Sequence, residues 1–131
     1  TSGVEVLSAA RLSKEQTRAR NKETLLEIIN STELSDAQKQ EAVDSMVRMT
    51  DIAEKEAAAE VLLQAKGFQE AVVSINGDAV DVVINAAELS DAQRAQIEDI
   101  VKRKTDIAAE NIVISTIVQR YFCVHRKEFM L

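Results

Sequence analysis

The side chains with the most chemistry in this chain lie near its end. Cys123 and His125 are its one cysteine and its one histidine, and a thiol two positions from an imidazole is the minimum of a nucleophile–base pair. Such a pair needs a lowered thiol pKa and a third group to orient the base. A chain terminus is a poor scaffold for either. Asp78 and Asp81 would make a carboxylate pair, but acids beside a hairpin tip commonly serve the turn. Glu54, Lys55, Glu56 and Glu60 crowd one helical stretch and read as a solvated face. One Cys and one His exclude a zinc cluster of the usual ligands. No glycine-rich phosphate loop, His-Glu-x-x-His or calcium loop is present. The expectation is no enzyme, no metal and no cofactor.

The totals agree with a plain binding domain. The chain has 131 residues, 46% hydrophobic, with a formal charge of −6 and a pI near 4.9. That length supports one core. The negative charge argues against a nucleic-acid partner, which calls for a basic face. No apolar run approaches the ~20 residues of a spanning helix. The start lacks an initiator Met and a signal peptide, so Thr1-Ser2-Gly3 reads as a cloning remnant and residues 1–12 as a start segment or linker. An anchor upstream would then have been cut off. Residues 119–131 hold Tyr121, Phe122 and Phe129 as well as Cys123 and His125, and carry Arg120, Arg126 and Lys127. This shift of composition marks them as a tail that is foreign to the domain or flexible.

An internal repeat organises the remainder. Glu33-Leu34-Ser35-Asp36-Ala37-Gln38 recurs as Glu88-Leu89-Ser90-Asp91-Ala92-Gln93. Thr50-Asp51-Ile52-Ala53 recurs at the same offset as Thr105-Asp106-Ile107-Ala108, with Asp44 and Arg48 matched by Asp99 and Arg103. Ser35 with Gln38, and Ser90 with Gln93, spell capping boxes, and Leu34 and Leu89 stand where a hydrophobic staple would be. Two helices that start by the same means explain the repeat. A first helix is expected from Ser13 to Asn30, its polar first half exposed or resting on something outside the chain. A second runs from Asp36 to about Ala65 with Val43, Met46, Val47, Ala53, Ala57, Val61 and Leu62 as its stripe, and Gly67 ends it.

The period then changes to two. Glu70–Ile75 and Ala79–Ala86 read as strands joined at Asn76-Gly77, a strong hairpin signal. A third helix is expected from Asp91 to about Ala109 with Ile97, Ile100, Val101 and Ile107 inside, then a strand over Asn111–Val118. The fold class is α+β, ααββαβ, with residues 13–66 as two helices and 67–118 as the ββαβ core. A three-stranded antiparallel sheet in the order 2-1-3 is expected, with helices on one face. Ala71, Val73, Ile75, Val80, Val82, Ile84, Ile112, Ile114 and Val118 would face them. Val72, Ser74, Asp81, Val83, Asn85, Val113, Ser115 and Ile117 would form the open face. The last strand would be an edge with no charge and no proline, an unprotected template for strand addition. Asn111, Ile112, Val113, Ile114, Ser115, Thr116 and Ile117 are therefore the candidate partner-binding residues. The second strand, guarded by Asp78 and Asp81, would be the other edge.

The run from Leu12-Ser13-Lys14-Glu15-Gln16 to Ile112-Val113-Ile114 resembles the extracellular domain of the stage III sporulation protein AH family of endospore-forming bacteria. The resemblance covers residues 10–117 and is most specific over Glu60–Asn85 and Leu89-Ser90-Asp91-Ala92-Gln93. It carries no catalytic signature, and the chain after Ile117 does not fit it. It implies a transmembrane helix in the mother-cell membrane and a domain projecting into the space between mother cell and forespore. It also implies stage II sporulation protein Q as partner, a zipper and channel-like assembly needed for engulfment, and kinship with the ring-building modules of type III secretion and flagellar basal bodies. The expected function is thus a non-enzymatic, ring-forming adhesion domain. The rivals are a helical homodimerisation module on the second helix, an RNA-binding domain, and an enzyme using Cys123 and His125.

Overall fold

The chain folds in the order α1 (Ser2–Asn30), α2 (Asp36–Ala65), β1 (Val72–Asn76), β2 (Ala79–Ile84), α3 (Asp91–Thr105), a 3-10 turn (Ala109–Asn111) and β3 (Ile112–Thr116). This is seen in a computed structural model that describes residues 2–117. Val118 and the tail 119–131, with Cys123 and His125, lie outside the described residues. The expected ααββαβ order is present.

Local signals set most boundaries. Both capping boxes form: Gln38 N donates to Ser35 Oγ at 3.2 Å and Ser35 N to Gln38 Oε1 at 3.0 Å. The corresponding distances at Ser90 and Gln93 are 3.1 and 2.9 Å. Beyond the C-cap Lys66, Phe68 N donates to Leu63 O and Gly67 N to Gln64 O. With Gly67 at φ +99° this is a Schellman motif, and Leu63 and Phe68 pack into one apolar cluster. The hairpin differs from expectation by one residue. Asn76 pairs with Ala79, so the loop is Gly77-Asp78, and of these only Gly77 has positive φ. Glycine at the first loop position suits a type II′ turn.

Other boundaries are corrected. α1 begins at Ser2, not Ser13, and Leu7 is buried within the stretch read as a start segment or linker. No glycine or proline between Val4 and Asn30 interrupts it. α3 ends at Thr105, because Asp106 takes a left-handed conformation at φ 60°. The repeated Thr-Asp-Ile-Ala is therefore mid-helix at Thr50 and a helix end at Thr105. Both threonines bond the carbonyl one turn back, Met46 O and Val101 O. The downstream residues make the difference: Glu54–Ala59 favours helix, whereas the sequence after Ala108 leads into β-branched Ile112 and Val113.

The sheet is mixed, in the order β1-β2-β3, which overturns the antiparallel 2-1-3 expectation. β1 and β2 are antiparallel, and β2 and β3 parallel, with Val80 opposite Ile112 and Ile84 opposite Thr116. The expected direction of β3 was right and its neighbour wrong. A strand–helix–strand connection between parallel strands closes most simply as a direct crossover, leaving β3 beside β2. β2 is central, and β1 is the second edge. The facing pattern survives: Ala71, Val73, Val80, Val82 and Ile84 are buried, and Ile75, Ile112 and Ile114 half-buried, against Leu63, Ile97, Ile100 and Val101.

The stripe of α2 is rotated from its expected place. Val43, Val47 and Val61 are 37%, 63% and 66% exposed, while Ala42, Glu56, Ala59 and Leu63 are buried. α2 is so rich in alanine that two stripes were available, and the helix uses the one that meets α1, β1 and α3.

Candidate functional site

The two edges of the sheet are built in opposite ways. β1 reads Val-Val-Ser-Ile-Asn, without a charge of its own. In an antiparallel pair, alternate residues turn both backbone groups away from the neighbour. On β1 those outward groups are met by charged side chains from two helices. Glu60 Oε2 accepts from Val73 N at 2.8 Å, and Glu56 Oε2 accepts from Ile75 N at 2.7 Å, both from α2. From α1, Arg11 Nη2 donates to Ala71 O at 2.7 Å and Lys14 Nζ to Val73 O at 3.0 Å. The four bonds stand where a further strand would pair.

Glu56 is the centre of this clasp and is 2% exposed. Arg18 binds it with a bidentate fork, Nη1 to Oε1 and Nη2 to Oε2, the latter at 2.8 Å. Lys14 Nζ adds a contact to Oε1 at 3.2 Å and stands 3.9 Å from Glu60. With the Ile75 amide, every lone-pair direction of the carboxylate is engaged. Burial pushes the Glu56 carboxyl up. The Arg18 hydrogen bonds, the Ile75 amide and the charges of Lys14 and Arg18 outweigh that and hold it below the usual carboxylate range. The same pairing raises Arg18, against its own desolvation. The clasp residues also line an open groove of about 600 Å³ between α1 and α2, floored by Met46, Met49, Ala53 and Ala57.

β3 is built differently. Val113 is 53% exposed, and from Ile112 to Ser115 no side chain of the described residues bonds the strand's outer side. Of the candidate residues, Asn111 closes the 3-10 turn, Ile112 and Ile114 point to the core, Ser115 and Thr116 are half-buried, and Ile117 follows the strand. The register lays Ser74, Asp81 and Val113 in one row of the open face and Val72, Val83 and Ser115 in the next. Asp81 is exposed and Ser74 and Val83 are half-buried. Val72 is buried at 4%, a correction to the open-face reading. It sits at the start of β1, where Arg11 ties the chain to α1.

The sequence reading missed the clasp. Glu56 and Glu60 were assigned to a solvated face, and the polar half of α1 to the exterior or to another molecule. That half instead docks on its own chain through Lys14 and Arg18, and Arg11 joins them from the stretch read as a linker. One signal for Glu56 was present: it shares heptad spacing with Ala42, Met49 and Leu63, all wholly or partly buried. Among the described residues no three His, Cys, Asp or Glu side chains are arranged to hold a metal, and no helix is long and apolar enough to cross a membrane.

Known proteins resemble both the sequence and this geometry. The model of the SpoIIIAH-like protein family matches residues 1–114, including the segment read as a linker. Stage III sporulation protein AH of Bacillus subtilis (strain 168) is 25% identical over 104 residues, covering 79% of this chain and 48% of that protein. The chain thus spans about half the length of this relative. A chain from the structure of the SpoIIQ–SpoIIIAH pore-forming complex is 23% identical and shares the fold with a TM-score of 0.72, over 86% of this chain and 98% of that one.

Proposed function

We propose a function from one premise: this chain belongs to the SpoIIIAH-like family. The domain is a non-enzymatic adhesion module of a sporulation protein. A transmembrane helix anchors that protein in the mother-cell membrane, and the domain faces the space between mother cell and forespore. There it binds a SpoIIQ-type protein of the forespore and contributes to a ring or channel joining the two cells. The likeness to a chain of the SpoIIQ–SpoIIIAH complex supports such a partner.

The observation that carries the mechanism is the uncharged edge of β3, with Val113 exposed. A partner strand laid along Ile112–Ser115 would pair the backbone, and side chains near Val113 and Ser115 would select the partner. The helical dimer is less well supported, because the exposed valines of α2, Val43, Val47 and Val61, do not make a sustained coiled-coil seam: Thr50, Glu54 and Ala57 hold the positions between Val47 and Val61. Val113→Lys and Ser115→Lys place charges on the open face beside the edge. Each is expected to reduce capture of a SpoIIQ-type partner in a pull-down. Capture unchanged by both would remove this edge from the interface.

A further inference from the structure

One cavity is walled by polar side chains that the fold leaves unused. It lies between the α2–β1 connection, the end of β2 and the first turns of α3, and measures about 510 Å³, the size of a small-ligand cleft. Four amides line it: Gln69, Asn85, Gln93 and Gln96. The groove between α1 and α2 is the opposite case, with an apolar floor and with Lys14, Arg18, Glu56 and Glu60 engaged in the clasp. Here Gln69, Asn85 and Gln96 make no side-chain hydrogen bond among the described residues, although Asn85 is half-buried. Gln93 gives only its Oε1, to Ser90 N at 2.9 Å. That bond fixes the side chain and leaves its NH2 group to donate elsewhere.

The make-up of the wall selects a class of ligand. Lys66 and Glu70 are its charged members, one of each sign, so no net charge draws an anion or a cation into it. An amide presents donors and an acceptor side by side. A hydroxyl also does both, so neighbouring hydroxyls match such amides better than a carboxylate, which only accepts, or an ammonium, which only donates. Half-buried Ala86 offers an apolar contact for the C–H face of a ring. The loop that carries Gln69 is sharply shaped. Gly67 and Glu70 flank it at φ +99° and φ 57°, the second an uncommon left-handed conformation for a residue with a side chain.

We propose that this cavity binds an uncharged saccharide, whose hydroxyls pair with Gln69, Asn85, Gln96 and the NH2 group of Gln93. The inference goes beyond adhesion and does not need the β3 edge, none of whose residues lines the cavity. Each new hydrogen bond replaces one to solvent, so affinity is modest, with a Kd on the order of 1 mM.

The test titrates the isotope-labelled full chain with chitotriose and follows its signals by NMR. The side-chain NH2 signals of Gln69, Asn85, Gln93 and Gln96 should shift saturably, while the amides of Gln16 in α1 and Val113 in β3 stay in place. Cellotriose, which keeps the ring hydroxyls and lacks the acetamido groups, should move the same signals. Inorganic phosphate should not. Asn85→Ala with Gln96→Ala should raise the Kd at least about fivefold. The melting temperature should change little, because neither side chain bonds another part of the chain. Should that variant unfold, Gln69→Ala at an exposed loop position takes its place, with a rise of about twofold or more. The proposal is overturned by the absence of a saturable shift with chitotriose, by a response to chitotriose without one to cellotriose, by an equal response to phosphate, or by a Kd that the substitutions leave unchanged.

Discussion

The sheet's two edges solve one problem from opposite ends. Both strands are short and uncharged, and both carry backbone groups that pair with nothing in their own sheet. At β1 the fold supplies partners from outside the sheet: Glu56 and Glu60 on α2, Arg11 and Lys14 on α1. At β3, among the described residues, no such side chain meets the outer side from Ile112 to Ser115, and Val113 is exposed. The protection of an edge here is a property of the tertiary structure and not of the strand. One edge is consequently a matter of stability and the other of recognition, and substitutions at the two should separate these effects.

The largest effect belongs to Glu56→Ala. It strips partners from the Ile75 amide, Lys14 and Arg18 at once, inside a site where the carboxylate is 2% exposed. Removing one member of a buried ionic cluster costs about 3–5 kcal/mol. Urea unfolding should show a loss of that size. A loss below about 1 kcal/mol would mean the clasp is ornamental and the two edges equivalent.

A smaller effect comes from acid. In the folded chain the Glu56 carboxyl lies below its usual value. A depressed carboxyl contributes stability that is fully present above its unfolded pKa and is lost as pH falls through the folded one. The groups facing it are Lys14 and Arg18 of α1 and the Ile75 amide of β1, with Glu60 one turn along α2. Arg18, held above its ordinary value by the same pairing, keeps its charge as the carboxylate titrates. Glu56→Gln keeps an acceptor for the Ile75 amide but cannot titrate. Melting temperatures of wild type and Glu56→Gln should therefore differ most near neutrality and converge as the pH falls through and below the ordinary glutamate range. A constant gap across that range would show that the charge of Glu56 contributes nothing.

How far these edges were legible in the sequence depends on the range of the forces involved. Ser35, Gln38, Ser90, Gln93 and Gly67 act on neighbours within a turn, and each does what its type and position predict. Alternation put Ile75, Val80, Ile112 and Ile114 on the core face whatever the strand order. The order itself was not local. The choice of β2 over β1 as the neighbour of β3 depends on how the α3 crossover closes. β3 is an edge under either order, so its reading as an edge does not depend on which strand it neighbours. The clasp needed Glu56 and Arg18, far apart in sequence, to meet across two helices, and no pattern within one segment states such a pairing. A glutamate amid Glu54, Lys55 and Glu60 looks like surface. Only its heptad register with Leu63 marks it as inward.

The smallest effect is the sharpest comparison. Val113 is half exposed and shares a row with Asp81 and Ser74 on the open face. A lysine there loses little buried apolar area and lies directly across from an exposed carboxylate, a pairing of opposite charges that favours the sheet slightly. Val113→Lys should thus leave unfolding free energy within about 0.5 kcal/mol of wild type, at the same time as it reduces partner capture. Glu56→Gln should do the reverse, lowering stability while the folded fraction still binds. If Val113→Lys destabilised the chain by more than about 1 kcal/mol, Val113 would be packed and not free, and β3 would be a covered edge like β1.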